Sequence, residues 1–278
     1  MAIKDLLVHV DPMQRSASRI DVAMIVARRF DAHLVGLHVQ QPPRPPEYTP
    51  AELREAMMKL DLEAMERAAV DARTLFERRT AGTQLSLEWR QTTGLVDEGV
   101  ALHARYADLT ILGQPLHEGR DPALNAAGID RIILATGRPL LIVPHAGRFE
   151  TIGSRVLVAW DGSREATRAI SDALPFLATA ESVTVLSVNP RHGIRGHGDV
   201  PSADIALHLA RHGVKVDARH DIAHDISVAD VLLSRAADLS ADLIVMGAYG
   251  HARVLEIALG GVTRSMLAHM TAPVLMSH

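Results

Sequence analysis

The chain repeats itself once, and that constrains its architecture more than any local pattern does. Leu6-Leu7-Val8-His9-Val10-Asp11 returns as Val156-Leu157-Val158-Ala159-Trp160-Asp161, an apolar run ending in Asp, at an offset of 150. Ala107-Asp108-Leu109-Thr110-Ile111-Leu112-Gly113 returns as Ala241-Asp242-Leu243-Ile244-Val245-Met246-Gly247 at an offset of 134. Gly137-Arg138-Pro139-Leu140-Leu141-Ile142-Val143 matches Thr271-Ala272-Pro273-Val274-Leu275-Met276-Ser277 at the same 134. The blocks keep their order, so the fall in offset places a deletion in the second copy, where the first carries Gln41 to Tyr48 and a long charged segment.

Each copy alternates short Val/Ile/Leu runs with amphipathic segments. Runs without polar alternation fit strands buried on both faces, and the amphipathic segments between them supply the crossovers of a parallel sheet. Strands are expected near 4–10, 33–39, 84–90, 108–113 and 139–143, then 155–160, 182–188, 214–219, 242–247 and 273–277. Helices are expected near 16–29, 50–79, 95–106 and 124–136, then 164–179, 202–212, 227–239 and 254–270. The fold class is therefore α/β: two tandem, doubly wound, open parallel sheets of five strands, Rossmann-like, with domains over 1–147 and 153–278 and a polar boundary from His145 to Ser154. Right-handed crossovers put the ligand crevice of each sheet at the carboxyl ends of its strands, where Asp11, Asp161, Gly113 and Gly247 fall. The fifth strands, Pro139 to Val143 and Pro273 to Ser277, are open edges that can satisfy one another within the chain, and this leaves room for a homodimer.

Composition narrows the function. Lys plus Arg number 29 against 33 Asp plus Glu, a net charge of −4, so no overall positive field recruits nucleic acid. Aromatic residues make up only 3%, too few for base-stacking platforms along a single strand. The absence of cysteine removes disulfides and thiol chemistry. No apolar run approaches the roughly 18 residues that cross a bilayer, and no signal peptide is legible after Met1-Ala2-Ile3-Lys4-Asp5. The expectation is a soluble cytoplasmic protein with neither nucleic acid nor membrane as partner.

The segment that carries chemistry is Gly247-Ala248-Tyr249-Gly250, nine residues, then Gly260-Gly261-Val262-Thr263, after an expected strand and at the entry to a helix. Glycines there let the main chain turn and bring N–H groups close to an anion, and the positive end of the helix favours phosphate. The spacing is neither a Walker A loop nor a GxGxxG dinucleotide fingerprint, which removes support for P-loop hydrolysis and hydride transfer.

With its preceding strand, this Gly-x2-Gly-x9-Gly pattern resembles the nucleotide-binding motif of universal stress proteins, and the resemblance runs over both halves. It implies ATP or AMP as ligand, with Mg²⁺ an optional companion. Asp161 and Val188 would then contact adenine and Gly247 would sit near the ribose, while Gly250, Gly260, Gly261, Val262 and Thr263 would line the phosphates. Gly261 stands where the family commonly has Ser or Thr, which removes a hydroxyl and keeps an N–H. The first half departs further: Gly113 is followed by Gln114-Pro115-Leu116, and Gly128 lacks the spacing, so its phosphate loop is lost while Asp11 and Val39 remain. The implied function is a nucleotide-responsive stress or regulatory protein. The alternatives are a slow ATP hydrolase using the same pocket, for which no base and metal pair is evident, and a nucleotide-independent scaffold.

Simpler explanations stand beside these. The glycines also suit a bare strand-to-helix turn. Asp161-Gly162-Ser163 suits a turn and cap, with Ser163 the better cap. Val188 suits core. His208 and His212, at i and i+4, lack a zincin Glu and a third ligand, so surface histidines are favoured over a metal site. Ala51 to Thr80, with Met57, Met58, Leu60, Leu62 and Met65, is expected to pack on the sheet as an amphipathic helix. Gln41-Pro42-Pro43-Arg44-Pro45-Pro46 is expected to be a stiff surface connection, and Arg253 and Arg264 flank the phosphate loop as exposed arginines or phosphate partners.

Overall fold

The computed structural model describes residues 2–43, 48, 50–115, 125–190, 202–249 and 261–278. The first half runs β1 (Asp5–His9), α1 (Ser16–Phe30), β2 (His33–Gln40), α2 (Ala51–Thr80), β3 (Leu87–Thr93), α3 (Val96–Ala104), β4 (Leu109–Gly113), α4 (Ala126–Thr136) and β5 (Leu140–Val143). The second runs β6 (Arg155–Ala159), α5 (Arg164–Leu177), β7 (Ser182–Val188), α6 (Ala203–Arg211), β8 (Val216–Asp221), α7 (Val228–Asp238), β9 (Leu243–Gly247), α8 (Gly261–His269) and β10 (Val274–Ser277). Of the helix expected over 254–270, residues 261–270 lie within the described residues, and Gly261–His269 is helical.

The strands form one ten-stranded sheet in the order β3-β2-β1-β4-β5-β10-β9-β6-β7-β8. Within each half every pairing is parallel, and the order reverses beside β1 and β6, so both halves are doubly wound. The halves meet at β5 and β10, which pair antiparallel with Val274 opposite Ile142, Leu275 opposite Leu141 and Met276 opposite Leu140. All six of these side chains are fully buried. Two edge strands start later than expected, β3 at Leu87 and β8 at Val216. Both are half-buried at best, and register with the inner neighbour decides their extent more than their own apolar residues do.

Alternation along the buried strands divides the core between the two faces of the sheet. Leu6, Val8, Val156 and Val158 join one cluster, and Leu7 and Leu157 join the other. Both clusters draw on both halves, so the core is continuous across the junction. The repeated Ala-Asp-Leu has a structural reason. Asp108 accepts hydrogen bonds from the Lys4 and Asp5 amides at 2.8 and 3.1 Å, and Asp242 accepts from the Ser154 and Arg155 amides at 3.0 and 2.9 Å. Each carboxylate thus ties the start of β4 or β9 to the start of β1 or β6.

One face of the junction is also stapled by α1. Phe30 meets Phe176 of α5 edge-on with ring centroids 4.8 Å apart. Arg29 lies 5.6 Å from both rings and donates to the carbonyls of Ile152, Gly153 and Phe176. The helix α2 behaves differently from expectation along half its length. Ala69, Ala72, Phe76 and Thr80 are buried at i, i+3, i+7 and i+11, as a packed helix requires. From Leu53 to Ala68 no residue is buried, and Leu53, Met58, Leu60 and Leu62 are exposed. The apolar residues there do not report contact with the sheet.

Candidate functional site

The carboxyl ends of three neighbouring strands, β9, β6 and β7, carry Gly247, Asp161 and Val188. The order of strands reverses between β9 and β6, which is where an open α/β sheet leaves a crevice. Asp161 is exposed, two residues beyond β6, and its Oδ1 accepts from the Ser163 amide at 3.0 Å. Gly162 takes φ 72° and turns the chain. Ser163 then caps α5, accepting from the Ala166 amide at 3.1 Å. Val188 is half-buried at the end of β7.

Gly247 has no room for a side chain. A Cβ there would lie 2.5 Å from the Ala166 nitrogen and 2.6 Å from the Glu165 carbonyl carbon. The first turn of α5 therefore rests directly on the end of β9. Gly261 and Val262 open α8 on the surface, and a Cβ on Gly261 would meet nothing among the described residues. Thr263 is buried, and its hydroxyl accepts a long bond, 3.4 Å, from the Tyr249 amide. Gly250, Gly260 and Arg253 lie outside the described residues.

Several residues of this edge had no signal in the sequence. Ser187 and Ser202 are both buried, and a hydrogen bond between their hydroxyls, 2.6 Å apart, joins the end of β7 to the start of α6. Ser187 also donates to the Trp160 carbonyl at 2.9 Å. Tyr249 adopts φ 63°, is buried, and donates its hydroxyl to Asp130 of α4, in the other half. Burial, reinforced by that bond to the Asp130 carboxylate, raises the Tyr249 phenol well above its ordinary value.

The same location in the first half is filled from within. Arg19 of α1 is almost wholly buried, and its guanidinium bonds Asp11 and the Ser16 hydroxyl, each at 2.5 Å, with His9 Nδ1 3.4 Å away. A Cβ on Gly113 would sit 3.2 Å from the Arg19 side chain, whereas Gly247 faces peptide backbone. Burial and the neighbouring Arg19 charge push His9 down to about 3. Burial alone would raise the Asp11 carboxyl, but Arg19, His9 and the bonds from Arg19 and Ser16 hold it at about 2. Asp11 is an internal ion-pair partner, while Asp161, 150 residues on, faces solvent. Val39 is buried in the core.

Clefts open elsewhere as well. One of about 340 Å³ lies on β7, β8 and α7 beside Arg219, Asp221 and Arg235, and another of about 660 Å³ lies beside Gln41, Asp97 and Arg131. The rings of His208 and His212 are 4.7 Å apart between centroids. Among the described residues no group of three or more His, Cys, Asp or Glu side chains is placed to hold a metal ion. No described helix is long and apolar enough to cross a membrane.

Comparison with known proteins agrees with the fold. Residues 154–278 match the model of the universal stress protein family. A universal stress protein of Synechocystis sp. is 28% identical over 158 residues, 54% of this chain and 50% of the relative, so the match spans about half of that protein's length. Among solved structures, a universal stress protein from Archaeoglobus fulgidus superposes with a TM-score of 0.71 at 16% identity, covering 98% of this chain and 97% of the other. A functionally unknown protein from Pseudomonas aeruginosa gives 0.56 at 16%, covering 99% and 92%. Identities that low carry the fold alone.

Proposed function

Because residues 154–278 match the universal stress protein family, we propose that the chain is a cytoplasmic, nucleotide-responsive stress protein that binds one ATP or AMP at the carboxyl edge of β9, β6 and β7. Asp161 accepts hydrogen bonds from the base or ribose, since a carboxylate offers several acceptor sites. Val188 gives the base an apolar surface and Gly247 lies near the ribose. Gly250, Gly260, Gly261, Val262 and Thr263 surround the phosphates, which the amide groups at the start of α8 favour.

The observation that carries this reading is the contrast between the halves. In the first, Arg19 occupies the switch point and neutralises Asp11. In the second, the residue 150 positions after Arg19 is Ala169, buried in the core, and Asp161 remains exposed at the edge. A ligand amine or hydroxyl would meet the second carboxylate at the surface, whereas the first lies inside a buried ion pair.

Thermal unfolding with and without saturating MgATP tests the reading, after extraction has removed any nucleotide carried through purification. A ligand that binds only the folded state at a hundredfold excess over Kd stabilises by about 2.7 kcal/mol. Gly250→Asp, which sets a carboxylate among the phosphates, should abolish the shift in a folded protein. No shift in the extracted parent would overturn the proposal and favour a scaffold that works without nucleotide.

A further inference from the structure

The helix α8 starts at the candidate phosphate site, and both of its ends are held by the first half. At its carboxyl end, Gln114 Nε2 donates to the carbonyls of Leu267 and Ala268 at 2.9 and 3.1 Å, groups that the last turn of a helix leaves without partners. Gln114 is itself fixed: its amide donates to the Val143 carbonyl at 2.8 Å, and its Oε1 accepts from the His145 amide at 3.1 Å. At the amino end, Tyr249 Oη donates to Asp130, and Arg264 Nη2 lies 3.9 Å from Asp130 Oδ2. Asp130 is buried, and its Oδ2 has no hydrogen-bond partner among the described residues.

These contacts are expensive unless they serve position. A buried carboxylate with one oxygen unbonded is destabilising. A bulky residue in the left-handed region, as Tyr249 is, persists only where its surroundings over-determine it. Here the surroundings are Thr263 on the amide and Asp130 on the hydroxyl, one from each half. Gln114 stands where the second half has Ala248, in the segment that replaced the first half's own phosphate turn.

We propose that the first half is a clamp that fixes α8 at both ends, the amino end through Asp130 and Tyr249 and the carboxyl end through Gln114, and so sets the affinity of the second half for nucleotide phosphates. The inference rests on the nucleotide reading above, and it gives the half with a filled pocket a role in that site. Tyr249, Asp130 and Gln114 are positioning residues, since they act through α8.

The test compares MgATP with adenosine by titration calorimetry on the full chain. In Tyr249→Phe and in Gln114→Ala, affinity for MgATP should fall about tenfold, or about 1.4 kcal/mol, while affinity for adenosine stays within about twofold of the parent. Asp130→Asn keeps an oxygen that accepts from Tyr249 and should restore most of the affinity lost in Asp130→Ala. Equal loss for both ligands, or none for either, would overturn the clamp and leave these residues as general stabilisers. Should Tyr249→Phe fail to fold, Gln114→Ala carries the test. If the parent binds no nucleotide, the functional reading fails, and amide hydrogen exchange then decides the clamp. Faster exchange confined to residues 261–269 in Gln114→Ala supports it, and unchanged exchange refutes it.

Discussion

His9 makes the stability of the protein sensitive to mild acid. Its ring is buried against Arg19, with Asp11 and His38 also near, and its pKa falls from 6.5 to about 3 through burial first and the Arg19 charge second. In the unfolded chain the imidazole takes up a proton near pH 6.5; in the folded chain it stays neutral until about pH 3. Between those values the unfolded state binds more protons, so stability falls as pH is lowered through that window. From pH 7.5 to 5.0 only the interval below 6.5 counts, about 1.5 units at 1.36 kcal/mol each, or about 2 kcal/mol. Asp11, held at about 2 against an ordinary 3.8, contributes its own loss only at lower pH. For a chain of this size 2 kcal/mol moves Tm by on the order of 5 °C. Scanning calorimetry of the parent and His9→Gln at both pH values reads the difference: the parent should lose about 5 °C more than the variant on acidification. Since both proteins share the other histidines, parallel losses would refute the assignment of this sensitivity to His9.

Gly247→Ala drives a methyl group into the Glu165–Ala166 peptide and should cost about 3 kcal/mol in urea unfolding; an unchanged midpoint would mean that α5 does not rest on β9. Arg19→Met strands the Asp11 carboxylate and should cost about 3–5 kcal/mol, and adding Asp11→Asn should recover part of it; additive losses in the double variant would argue against a coupled pair. Leu60→Glu, on the part of α2 without buried residues, should alter unfolding free energy by no more than about 0.5 kcal/mol, and a larger loss would mean that this turn is covered in solution.

The repeat made most of the architecture legible, because strands buried on both faces carry little except Val, Ile and Leu. It also marked Asp108 and Asp242, although their bonds to the starts of β1 and β6 became visible only in three dimensions. Legibility failed where sequence pattern and burial part company. Leu87–Thr93 includes Arg90, Gln91, Thr92 and Thr93, whose place in the sheet is set by pairing with β2. The Met and Leu residues of α2 suggest a packed face all along the helix, and only its carboxyl half has one. At the site, the exposure of Asp161 and the cap at Ser163 follow from local pattern, whereas Arg19 reads in sequence like any surface arginine on a helix. The Tyr249 to Asp130 contact spans 119 positions and leaves no periodic trace.

The antiparallel seam between β5 and β10 has a consequence for how this protein meets other chains. Two sheets that find each other as separate molecules come apart on dilution, but here residues 144–154 tether them, at an effective concentration of order millimolar for a short flexible connection. The seam should survive at any cellular abundance. It also reduces four sheet edges to two, Leu87–Thr93 and Val216–Asp221. Each outer strand carries an alternating charged pair, Glu88 with Arg90 at 2.6 Å and Asp217 with Arg219 at 2.7 Å. Charges so placed discourage another strand from docking at either margin.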